Sequence, residues 1–100
     1  MPAAYIVVSM NITNLDQYKQ YMARAAEAVK AAGGEYLARG GKHETLEGDW
    51  KPHRLGVLRF PSYEAAKGWY DSQQYTQAKA LREGTTEYFN MVLVEGVPAN

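Results

Sequence analysis

Residues Ala4 to Ile12 read AYIVVSMNI, a run rich in β-branched and aromatic side chains that predicts a strand. Ile6, Val8, Met10 and Ile12 fall on one face, which is wholly apolar. Tyr5, Val7, Ser9 and Asn11 fall on the other, apolar at one end and polar at the other. A strand with one face in water alternates apolar and polar residues along its length. Tyr5 and Val7 break that alternation, so this strand asks for cover on both sides.

Thr13 and Asn14 follow as N-cap candidates, with Asp16 where the helix dipole favours negative charge. Leu15, Tyr18, Met22, Ala25, Ala26 and Val29 then recur at three- and four-residue steps. That spacing predicts an amphipathic helix ending at Gly33-Gly34. Glu35 to Arg39 reads as a second strand, broken by Gly40-Gly41. His43 to Leu46 reads as a short extended piece, and Glu47 to His53 as a loop. Arg54 to Phe60 is a third strand, stopped by Pro61. Ser62 caps a helix through Asp71, with Tyr63, Ala66, Trp69 and Tyr70 as its apolar positions. Ser72 caps a shorter helix along Tyr75, Ala78 and Leu81, and Tyr88 to Glu95 is the last strand.

The simplest layout for that order is α+β: a four-stranded antiparallel sheet with the helices on one face, a ferredoxin-like βαββαβ sandwich. Tyr5, Val7 and Val57 then point away from Ile6, Val8 and Leu58. With the second set against the helices, the first has no cover. A fully buried large apolar side chain gains roughly 1.5–3 kcal/mol over an exposed one. Two sheets packed face to face across a two-fold axis, a homodimeric barrel, supply the cover. A sheet with one partly apolar solvated face is the alternative.

A chain of 100 residues and 11.2 kDa holds one domain, residues 1–100. It buries roughly 60–68% of its unfolded surface, which leaves little room for a deep enclosed site. Eleven basic and eleven acidic residues cancel, so the long-range attraction of a nucleic-acid binder is missing. Cysteine is absent, which removes disulfides, thiol nucleophiles, Cys-ligated zinc and iron–sulfur clusters. No apolar run approaches the roughly 18–20 residues that span a bilayer. Met1 to Met10 carries no basic leader pattern, which makes the cytoplasm the default expectation.

Tyr36-Leu37-Ala38-Arg39-Gly40-Gly41, Leu46-Glu47-Gly48-Asp49-Trp50, Arg54 through Ser62, Ala65-Ala66, Trp69-Tyr70 and Val94-Glu95-Gly96 occur in this order. With Ser72, Tyr75 and Ala80-Leu81-Arg82 between them, they resemble the bacterial domain-of-unknown-function family 1330 (DUF1330) over nearly the whole chain. That family is placed in the dimeric α/β-barrel superfamily. The resemblance implies a ferredoxin-like subunit and a homodimer, and supplies no reaction. Related dimeric barrels include cofactor-free monooxygenases, haem-degrading enzymes, small-ring isomerases and ligand-binding proteins, and fold alone does not choose among them.

Arg39 ends one strand and Arg54 begins the next, so an antiparallel return brings them to one end of the sheet, with Glu47 in the connection. Two guanidinium groups near one carboxylate either bind an anionic or carbonyl-bearing small molecule or form a salt-bridge network pinning the hairpin. Trp50 either walls a pocket or packs in the dimer contact. Tyr75 begins the last helix, where its phenol either faces a site or, as one of eight tyrosines, serves a structural role. His43 and His53 flank Gly48, either as exposed hairpin residues or with one as a general base; beside Glu44 or Glu47 they resemble an iron-binding set only superficially. Arg39-Gly40-Gly41-Lys42 lacks phosphate-loop spacing, and no nucleophile elbow or zinc-protease motif is present.

The expectation is a cofactor-independent enzyme, oxygenase- or isomerase-like, acting on a small oxygen-rich molecule between sheet and helices. Arg39, Arg54, Trp50 and Tyr75 would bind the substrate, and Glu47 or His43 would orient or move a proton. The alternative is a non-catalytic small-ligand-binding or structural dimer. Neither needs metal, cofactor, nucleic acid or membrane.

Overall fold

In the computed structural model, which describes residues 2–98, the chain runs β1 (Ala4–Ile12), α1 (Leu15–Ala31), β2 (Glu35–Arg39), β3 (Arg54–Phe60), α2 (Tyr63–Asp71), α3 (Gln73–Arg82) and β4 (Thr86–Glu95). The strands form one antiparallel sheet in the order β2-β3-β1-β4. Caps set the helix ends as the sequence suggests. Asn14 accepts from the Gln17 backbone N–H, Ser62 from Ala65 and Ser72 from Tyr75. Gly33, at φ +78°, takes the left-handed conformation that ends α1. His43 to Leu46 forms no strand: the pairing of β2 with β3 ends at Arg39 and Gly56, before this segment. β4 begins two residues earlier than the sequence pattern suggests, at Thr86, across from Ile12.

Ile6, Val8, Met10, Leu58 and Phe60 form the sheet's contribution to the core. α1 buries Tyr18, Tyr21, Ala25, Ala28 and Val29 against it, and α2 and α3 add Ala66, Trp69, Tyr75 and Ala78. The buried stripe of α1 is rotated from the predicted one. Tyr21 and Ala28 are inside, while Leu15 lies at the exposed first turn.

The opposite face of the sheet carries no helix. Val7 pairs with Val57 on one side and Val92 on the other, and Tyr5 is flanked by Arg59 and Val94. Val92 is 61% exposed and Val94 50%. The expected apolar outer face is therefore present on the single chain.

Candidate functional site

The site starts from an irregularity in β2. Strict alternation from Glu35 would place Tyr36 and Ala38 toward the helices and Arg39 outward. Instead the register slips between Tyr36 and Ala38, so Tyr36 faces Leu58, Ala38 faces Val57 and Arg39 faces Gly56. Leu37 is the extra residue of a β-bulge, a device that re-aims the side chains following it. Arg39 thereby turns to the helix side and stacks on the Tyr36 ring, its Cζ 4.5 Å from the centroid.

Arg54 arrives on the same side as the first residue of β3, opposite Met10. Its guanidinium lies against the backbone of Gly40. A Cβ there would stand 2.6 Å from Arg54 Cζ, and Gly40 also holds φ +72°. Both demands admit glycine alone without displacement. Arg54 Nη2 lies 4.0 Å from Met22 Sδ, a weak acceptor. Ion pairs among the described residues join Arg59 to Glu35 and Lys67 to Asp71, so no carboxylate pairs with Arg39 or Arg54.

Behind the two arginines is a cavity of about 40 Å³ between the sheet and α1, room for a water or two or one small polar group. Outside them an open vestibule of about 460 Å³ is lined by Met22, Ala23, Ala26, Arg39 and Arg54. Met22, Arg39 and Arg54 border both spaces and form the threshold between them. Gly56 lies on the cavity floor, where a Cβ would meet only ordinary contacts at 3.7 Å or more. Its missing side chain leaves space and relieves no clash.

Aromatic side chains wall the inner end. Tyr21 and Tyr75 share a hydrogen bond between their hydroxyls at 2.9 Å, and Arg82 Nη1 donates to Tyr75 Oη at 3.1 Å. The Arg82 guanidinium lies 3.5 Å from the Phe89 ring centroid. Burial pushes the Tyr18 phenol up to about 12, with Arg54 and then Arg82 pulling the other way. Burial and the Tyr75 hydroxyl raise Tyr21 further, and burial raises Tyr36 against the opposing pull of Arg39. These phenols remain protonated at neutral pH and act as hydrogen-bond donors.

The six residues singled out from the sequence fall into three places. Arg39 and Arg54 meet at the threshold. His43, Glu47 and Trp50 lie in the exposed β2–β3 loop, around a separate groove of about 300 Å³ with Leu46 and Pro52. Tyr75 is fully buried behind Tyr21. His43 presents both ring nitrogens to backbone carbonyls, Nδ1 to Gly41 at 3.1 Å and Nε2 to Pro52 at 2.9 Å. Two such contacts suit the imidazolium, and they raise its pKa above the ordinary 6.5, Pro52 first and Gly41 second. His53 Nδ1 instead meets the Tyr88 hydroxyl at 2.8 Å. Sequence reasoning passed over Tyr18, Met22 and Arg82 as site residues, although Tyr18 and Met22 sit one turn apart on the apolar stripe of α1.

A β2-β3-β1-β4 antiparallel sheet with helices on one face defines a protein of the ferredoxin-like class. The chain belongs to the family described as a domain of unknown function (DUF1330), whose model matches residues 3–97. Among curated proteins none matches it. A protein of unknown function from Rhodopseudomonas palustris is 14% identical, with a TM-score of 0.78 over 98% of this chain and 85% of that one. A dimeric ferredoxin-like protein of unknown function from Thermobifida fusca YX is 13% identical, with a TM-score of 0.63 over 94% and 91%. SnoaB, a cofactor-independent oxygenase from Streptomyces nogalater, is 10% identical, with a TM-score of 0.64 over 99% and 97%. At these identities the likeness is one of fold.

Proposed function

We propose that the protein is a homodimer whose cleft binds a small, oxygen-rich anion at Arg39 and Arg54. One observation carries this reading: two guanidinium groups converge on a cavity mouth with no carboxylate partner among the described residues. Charged groups held at the edge of a low-dielectric cavity attract a counter-charge strongly. A second copy covering the outer face supplies the shelter that Val7, Val57, Val92 and Val94 lack, and the Thermobifida relative is described as dimeric.

As an enzyme, the protein would act without a cofactor, as an oxygenase or isomerase. The arginines would stabilise negative charge developing on the substrate, an effect worth several kcal/mol in such sites. The fold shared with SnoaB supports this reading by analogy. Glu47 or His43 would orient or move a proton, and Trp50 would wall the loop groove that the three share. Tyr75 would act from behind, holding Tyr21. Binding without turnover is favoured by a specific feature: no carboxylate or imidazole lines the cavity itself.

Replacing Arg39 and Arg54 singly with methionine tests the binding reading, with thermal melting read against a metabolite panel. We expect little change in the melting temperature of either variant and a ligand-induced rise in the parent that both variants lose. A sharp fall in stability, with no ligand shifting the parent, would mean that the arginines serve the fold.

A further inference from the structure

Tyr18 is 4% exposed and lines the cavity, yet its hydroxyl has only the thioether of Met10 at 3.7 Å as a partner. Sulfur of this kind is a weak acceptor, so the O–H is buried without a good one. Trp69 also lines the cavity, and its Nε1 is buried with no hydrogen-bond partner. Buried donors left in this state cost free energy that a ligand oxygen can recover. Arg54 lies opposite Met10, the residue Tyr18 touches, which brings the guanidinium and the phenol to the same part of the cavity. Tyr21, by contrast, is already engaged with Tyr75 and Arg82.

The polar side chains lining this space can thus all donate: the Arg39 and Arg54 guanidiniums, the Tyr18, Tyr21 and Tyr36 phenols and the Trp69 indole. We propose that Tyr18 is the third donor of the anion site and that its ligand is a carboxylate, entering head-first between Arg39 and Arg54. The inference rests on the anion-cleft reading and adds to it the inner residue and the ligand class. A planar carboxylate accepts two parallel bonds from a guanidinium and keeps lone pairs for a phenol beyond. The small cavity takes the carboxylate alone, and the body of the ligand stays in the vestibule against Met22, Ala23 and Ala26. The raised pKa of Tyr18 keeps its proton in place for that bond.

Isothermal titration with benzoate, benzyl alcohol and inorganic phosphate tests this on the unaltered protein, on Arg54→Met and on Tyr18→Phe. The expected result is binding of benzoate and of neither other probe. Arg54→Met should lose it, and Tyr18→Phe should weaken it by about tenfold or more at an unchanged melting temperature. Equal benzoate affinity in Tyr18→Phe and the parent, with Arg54→Met inactive, would overturn the role of Tyr18 and leave the arginine site standing. Binding of phosphate in preference to benzoate would overturn the carboxylate. Binding of no probe would overturn both this inference and the reading beneath it. Were Tyr18→Phe to unfold, the ¹³Cζ resonance of Tyr18 in the unaltered protein decides instead. A shift with benzoate and none with benzyl alcohol supports the bond, and no shift with either refutes it.

Discussion

Gly40 is the residue on which the geometry of the threshold turns. Its positive φ lets β2 end abruptly, and its bare backbone gives the Arg54 guanidinium a surface to lie on. Gly40→Ala should cost about 1 kcal/mol or somewhat more in denaturant unfolding, because alanine resists that φ. It should also push Arg54 aside and weaken anion binding beyond the loss of stability. Unaltered binding would show that Arg54 reaches its ligand by another route. At this scale the sequence was informative about type and silent about place. Arg39-Gly40 and Arg54 stood out as charges beside a glycine bend, but nothing local says that an arginine fourteen residues on lies against that glycine. Tyr18 has the spacing of an ordinary core position, and its under-satisfied hydroxyl exists only once Met10 is folded beside it.

Between elements, the bulge at Leu37 and the long β2–β3 loop matter most. Removing Leu37, the unpaired residue, should restore regular alternation in β2 and keep Arg39 opposite Gly56 on the helix face. Anion binding should persist with the sheet intact by circular dichroism; binding lost to the level of Arg39→Met would show that the bulge itself aims the side chain. In the loop, His43 clamps Gly41 to Pro52, and a neutral ring offers only one donor for two carbonyls. Its pKa is raised in the folded chain, so the clamp is fully present below the ordinary 6.5 and is lost as pH rises through the higher folded value. An NMR titration of the His43 ring should give a midpoint above 6.5, with loop amide exchange quickening past it. A midpoint at or below 6.5 would contradict the clamp. Strand and helix bounds were legible because caps, glycines and periodicity are local signals, as at Asn14, Ser62, Ser72 and Gly33. The bulge was not, since Glu35 to Arg39 is a short strand whose register is chosen by β3, and the turn of α1 toward Tyr21 depends on Tyr75 across the core.

For the whole molecule, the decisive feature is a sheet with apolar side chains on both faces and helices on one. The structure is only 17 Å across its thinnest axis, one layer of strands and one of helices. The run AYIVVSMNI points to this, because Tyr5 and Val7 depart from the apolar–polar alternation of a strand half in water. Val92 sits beside Val7 in the middle of the exposed face. Light scattering at micromolar concentration, on the parent and on Val92→Lys, addresses the consequence directly. The parent should have twice the 11.2 kDa chain mass, and Val92→Lys should weaken association by roughly 30-fold or more. A parent that scatters as a single 11.2 kDa chain would contradict the claim that a second copy covers this face.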